Sequence, residues 1–178
     1  SDAASSPPLL FAPGTLEQFE RVFDRDMGAY LLNSAAASIG STLLVLLLAI
    51  PAAYGLSIRP IKRVQDVLFF FISTRFLPAA ASILPVYFIL KTIGALDTVG
   101  ALLLLYSAMN LPIAVWMMRS FFSEVPHEII EAAQVDGANL RTELLRVALP
   151  IVLPGVAAAA LICFIFAWNE YFFATLLT

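Results

Sequence analysis

The chain has 178 residues, 61% of them hydrophobic and 13% charged, with a formal net charge of −3. Its mean hydropathy is +0.90. So little charge on so apolar a chain excludes a water-soluble domain and makes membrane lipid the solvent for most of the surface. The near-neutral balance excludes a nucleic-acid partner, and one cysteine, Cys163, excludes an internal disulfide or a cysteine metal cluster. Cys163 lies in an apolar run and reads as a small hydrophobe in a helix.

The opening SDAASSPP has no methionine and no charged region followed by an apolar one, so it is expected to be processed or cut from something longer. Residues 1–30 read as an extracytoplasmic segment. Pro7, Pro8, Pro13 and Gly14 give it an irregular start. A short amphipathic helix follows in LEQFERVF, with Thr15 as its N-cap and Gln18 completing the capping pair.

Four apolar stretches come next, at about 31–58, 67–90, 98–118 and 150–177. Each reaches the roughly 20 residues that a spanning helix needs. The first carries Ser34, Ala35, Ala36, Ala37, Ser38, Gly40 and Ser41, a set small enough to let another helix approach closely. Pro51, Pro78, Pro85, Pro112 and Pro154 predict kinks. The link RPIKRVQD holds Arg59, Lys62 and Arg63, and the long link holds Arg119, Arg141 and Arg146. By the positive-inside rule both are cytoplasmic. The N-terminal segment, the short link from Lys91 to Asp97 and the C-terminus then lie outside.

The link at 119–149 is far longer than a turn requires. Ser123 and Pro126 predict the start of a helix through HEIIEAAQVD, with Ile129, Ile130, Ala132 and Ala133 on one apolar face. Gly137 ends it, Asn139 caps a second helix, LRTELLRVAL, and Pro150 stops that one. A short helix with an apolar side and the acids Glu128, Glu131 and Asp136 suits another protein's groove. The residues alone describe a docking element on the cytoplasmic side, and His127 a solvated residue at its start.

The spacing here also resembles a known family. Glu131, Ala132 and Ala133 are followed after three residues by Gly137, and nine residues later by Val147, Ala148, Leu149 and Pro150. This is similar to the EAA motif of ABC-importer permeases, with Val147 in place of the usual isoleucine. STRFLP, AVWMMRSFF, EAAQVDGA and FAWNEYFFA resemble the carbohydrate-uptake branch, and its shorter, maltose-permease-G-like subunit in particular. The resemblance implies an all-α, polytopic bundle of kinked helices with a cytoplasmic helix-turn-helix coupling loop. It implies six spans in all, of which these are the middle four. The implied docking residues are Glu131, Ala132, Ala133, Asp136, Gly137, Leu149 and Pro150. The implied partners are an ABC ATPase dimer, a second permease subunit and an extracytoplasmic solute-binding protein. No GxxxxGK[ST] phosphate loop is present, so ATP and magnesium belong to the ATPase and this subunit is not itself an enzyme.

Four polar residues fall inside the apolar stretches: Arg75, Asn110, Asn169 and Glu170. A charge at mid-bilayer costs about 2.5–3.5 kcal/mol on insertion scales, so each must face protein, water or the interface. One reading lines a pathway with them, where a sugar's hydroxyls need donors and acceptors. The other has Arg75 and Glu170 satisfying each other or a partner subunit, or reaching an interface. Trp116 and Trp168 read as interface or packing residues. The expected function is uptake of a sugar or polyol across the inner membrane. The rival readings are a permease of the same superfamily for another solute, and a fragment of an ion-coupled secondary transporter.

Overall fold

The computed structural model describes residues 27–58, 62–76 and 79–178. The expected amphipathic helix near Thr15, and also Arg59 and Pro78, lie outside the described residues. The chain divides into units of residues 1–33 and 34–178, and the packing described below is all within the second.

Among the described residues the structure is helical. Helix α1 is Met27–Ile58, α2 is Val64–Ser73, and a 3-10 turn, Thr74–Phe76, leads towards α3, Ala79–Thr92. Helix α4 is Val99–Ser123, and α5 is His127–Val135. Helix α6, Leu140–Ile151, meets α7, Leu153–Trp168, at an angle of 80°. Helix α8, Phe172–Leu177, comes last. Among the described residues two helices, α1 and α4, are long and apolar enough to cross a membrane, or three if the bent pair α6–α7 is taken as one span.

Two of the four apolar stretches are therefore not continuous helices. The second is broken at Thr74–Phe76 into α2 and α3, and the fourth is broken at Asn169–Tyr171 into α7 and α8. Hydropathy averages over such breaks, because the flanking residues remain apolar. The third stretch is longer than expected: α4 runs on to Ser123, whose hydroxyl donates back to the Arg119 carbonyl at 2.8 Å. Ser123 thus closes α4 instead of opening the loop helix.

Helix α4 is the central element, with buried residues from Ala101 to Phe122. The stripe on α1 that meets it includes Ala37, Ser38, Ser41, Val45, Ala49 and Ala53, at the three- and four-residue spacing of one helical face. Small side chains bring the backbones close enough for the Ser107 hydroxyl to lie 3.3 Å from the Ser41 carbonyl. Helix α7 completes the core through Ala159, Cys163 and Ala167. At its start, Gly155 packs on the Phe121 ring, and a Cβ there would lie only 2.3 Å from the nearest ring atom. Outward faces carry large apolar side chains such as Leu43, Leu47, Phe69, Phe88 and Leu161. With backbone groups satisfied inside helices, such a surface suits hydrocarbon.

The link before α4 is tightly held. Thr98 caps α4 by accepting from the Ala101 N–H at 3.2 Å, and the Asp97 N–H donates to the Leu177 carbonyl at 2.9 Å. That second bond ties the link to the end of α8.

Candidate functional site

The loop between α4 and α7 is a helix-turn-helix, and local signals account for its turn. Pro126, with φ −58°, is the N-cap of α5. At the other end Gly137 takes φ +82°. Its N–H reaches the Gln134 carbonyl at 3.0 Å while the Ala138 N–H reaches Ala133 at 2.9 Å. These two bonds form the Schellman pattern, which needs a left-handed residue at that position. Asn139 then caps α6 by accepting from the Thr142 N–H at 2.9 Å.

Helix α5 divides its two isoleucines between opposite environments. Ile130 is 2% exposed and packs in the cluster of Ala53, Tyr54, Phe122, Val125 and Ala148, whereas Ile129 is 41% exposed. They do not share the single apolar face expected from the sequence, because adjacent helical positions point about 100° apart. The outward face presents Glu128, Glu131, Ala132 and Val135, the last 88% exposed. Ala133 is half-buried, and Asp136 and Gly137 are exposed at the turn.

Pro150 does not stop the second helix. The chain passes it and bends at Val152 instead, with Pro154 in the first turn of α7. The reason lies in a π-helical segment, Glu143–Ala148, in which the Leu149 N–H reaches back five residues to the Leu144 carbonyl. Shifting that hydrogen-bond register accommodates a proline that has no N–H to give. Leu149 is half-buried against the core and Pro150 is exposed.

One residue here escaped the sequence reading. Glu143 is buried. Its carboxylate accepts from the Tyr54 hydroxyl of α1 and, at 3.1 Å, from the Gln134 side-chain amide of α5. Burial penalises its charged form and holds its pKa above the usual carboxylate range. A glutamate flanked by Thr142 and Leu144 in a polar loop gives no local sign of this. It is five positions from the buried Ala148, about 1.4 α-helical turns, and the π segment puts both on the inner face.

The four intramembrane polar residues come together. Arg75, Asn110, Asn169 and Glu170 all line one cavity of about 520 Å³, with Tyr106, Phe166, Tyr171 and Phe172 among its other walls. Both charges sit at helix breaks. Arg75, on the 3-10 turn, donates to the Met109 carbonyl at 2.6 Å and lies 5.4 Å from the centre of the Phe166 ring. Met109 adjoins Ala108, whose carbonyl loses its helical donor to Pro112. Glu170 accepts from the N–H groups of Phe173 and Ala174 at 3.0 and 3.1 Å, and so fills the open start of α8. Tyr106 lines the same cavity. The Asn169 amide donates to the Ile165 carbonyl at 2.8 Å, and Asn110 is buried on α4. The two charges share a cavity, and each has partners of its own.

The family of binding-protein-dependent transport system inner membrane components matches residues 45–178, a region that holds both the loop and the cavity. The chain belongs to this family. Among its relatives is a probable ABC transporter permease of Sinorhizobium fredii, 38% identical over 99% of this chain and 64% of its own length. The trehalose/maltose transport system permease of Thermococcus litoralis is 32% identical over 96% of this chain and 63% of its length. A crystal structure of a bacterial ABC transporter involved in importing the acidic polysaccharide alginate superposes with TM-score 0.68. It has 30% sequence identity, over 82% of this chain and 51% of that one. This chain thus spans from about half to just under two thirds of the length of the relatives described. As a member of the family it is a multi-pass inner-membrane component.

Proposed function

We propose that this permease chain is the translocation subunit of an ATP-driven importer that takes up a sugar or polyol delivered by a solute-binding protein. The observation that carries this reading is the loop between α4 and α7. Its short helix α5 is anchored inward by Ile130, shows Glu128, Glu131, Ala132 and Val135 outward, and ends at a left-handed glycine. A partner cleft of complementary shape would take the small Ala132 closely and pair a basic group with Glu131. Glu131, Ala132, Ala133, Asp136 and Gly137 form the docking face, with Leu149 and Pro150 joining the loop to α7. The loop is cytoplasmic in this reading, and the N-terminal segment lies outside.

ATP and magnesium are held by the ATPase dimer, since this sequence carries no phosphate loop. Closure of that dimer displaces α5, and the membrane helices of this subunit and of a second permease rock about the solute path. The cavity around Arg75, Asn110, Asn169 and Glu170 is this chain's share of that path. Its amide, carboxylate and guanidinium groups match a polyhydroxylated solute, and Phe166, Tyr171 and Phe172 offer faces for a sugar ring. The sugar systems among the relatives support that solute class.

The complete permease carrying Gly137→Asp or Glu131→Lys is expected to insert normally and to lose the ATPase on co-purification. Recovery of normal amounts of ATPase with both variants would refute the docking assignment. Direct binding of a non-sugar solute by the companion binding protein would move the assignment to another solute class. Uptake that survives ATP depletion but collapses with the proton gradient would favour an ion-coupled carrier.

A further inference from the structure

Glu143 lies where α1, α5 and α6 meet, away from both the docking face and the cavity. It is 1% exposed. One carboxylate oxygen accepts from Tyr54 on α1, and the other accepts from Gln134 on α5 at 3.1 Å. Its own N–H is held by the Asn139 carbonyl at 2.9 Å. Tyr54 is equally fixed, buried and edge-on to Phe122 with ring centres 5.5 Å apart. Nearby, the Ser57 hydroxyl of α1 donates to the Arg119 carbonyl of α4 at 3.0 Å, so this end of α1 is braced on two sides.

Burying a carboxylate at this junction is costly, and a leucine would fill much the same space without that cost. What the carboxylate adds is direction. The contacts of Ile130 with its apolar neighbours can slide with little change in energy, because hydrophobic attraction has no preferred angle. A hydrogen bond weakens steeply once its length or angle departs from the optimum. One side chain bonded to both α1 and α5 therefore resists the relative shear that apolar packing would permit.

We infer that Glu143 is a positioning residue that couples the docking helix α5 to membrane helix α1, so that displacement of the loop moves the membrane helix. This inference rests on the reading of the loop as the lever of an ATP-driven importer, and it concerns transmission through the lever instead of its attachment to the ATPase.

The test uses the complete permease in its assembled, reconstituted transporter, with solute uptake and ATP hydrolysis measured together. Tyr54→Phe and Glu143→Leu are each expected to retain the ATPase at wild-type stoichiometry and to lower uptake per ATP about tenfold. Glu143→Gln keeps an oxygen that accepts from Tyr54, and its amide N–H can donate to the Gln134 side-chain oxygen once that amide turns over, so both bonds survive and uptake per ATP should stay within about twofold of wild type. The double variant Tyr54→Phe/Glu143→Leu should lose no more than the worse single variant, because both changes remove the same bond. If Glu143→Leu does not assemble, Tyr54→Phe, which lacks a single hydroxyl, decides alone. Wild-type uptake per ATP in Tyr54→Phe, whatever its thermal stability, overturns the inference. So does loss of the ATPase from that variant, which would place the residue pair in attachment. A wild-type transporter whose uptake is independent of ATP would instead overturn the lever reading itself.

Discussion

Replacing Ile130 with alanine tests whether α5 is held by one inward anchor. The helix has nine residues, too few to be stable alone in water, so its order must come from packing. Ile130 is 2% exposed within a cluster drawn from α1, α4 and α6. Removing its three outer carbons forfeits about 2.4 kcal/mol at roughly 0.8 kcal/mol each, and the cavity left behind brings the loss to about 2–4 kcal/mol. At 1.4 kcal/mol per factor of ten, amide exchange through local opening of α5 should quicken at least about 30-fold. Hydrogen exchange of the complete permease without its ATPase, read by mass spectrometry, measures this peptide by peptide. Peptides from α4 should be unaffected, because α4 is held along its whole length by α1 and α7. The neighbouring Ile129→Ala is the internal control: at 41% exposure it should change exchange by less than about threefold. Equal effects from the two isoleucines, or acceleration in α4 matching that in α5, would refute the assignment of Ile130 as a local anchor.

Further outcomes follow from particular sites. Gly155→Val places a branched side chain where even a Cβ comes within 2.3–2.7 Å of three Phe121 ring atoms, and it should cost about 1–3 kcal/mol, seen as a lower Tm. Gly100→Ala, with nothing within 4 Å of the added carbon, should leave the Tm unchanged or raise it. Glu143, whose pKa burial raises, keeps its proton to higher pH in the folded loop than in the unfolded chain. Its contribution is therefore fully present below the ordinary carboxylate range and is lost as pH rises through the raised value. The stability of α5 by hydrogen exchange should fall over that interval in wild type and stay level in Glu143→Gln; matching profiles would contradict the assignment. Glu170→Leu removes the acceptor for the Phe173 and Ala174 N–H groups and should cost about 1 kcal/mol, read as faster exchange across 172–177, with Glu170→Gln in between.

The turn of the loop was legible because each signal acts within a few residues. The Gly137 cap, the Asn139 cap and the Pro126 entry depend only on neighbouring backbone, and all three stand where the sequence puts them. Pro150 does not act as the stop its residue type suggests, because its effect depends on the hydrogen-bond register upstream, and the π segment supplies one that lets the helix pass. The breaks at Thr74–Phe76 and Asn169–Tyr171 were hidden by apolar neighbours, although Arg75 and Glu170 marked both places. A charge in an apolar run signals that it needs a partner, without saying which.

The sequence by itself determined the solvent, the helical class and the helix-turn-helix, since composition, period and spacing are properties of the chain read along its length, and its EAA-type motif carries the resemblance to the family. It also picked out Arg75, Asn110, Asn169 and Glu170 as groups that must find polar surroundings. Tertiary structure alone decided that these four meet around one cavity, with Arg75 turned to the Met109 carbonyl and Glu170 to the start of α8. It alone buried Glu143 between Tyr54 and Gln134, residues 89 and 9 positions away in the chain. Such partners are brought together by how helices cross, and helix crossing is set by side chains far apart in sequence.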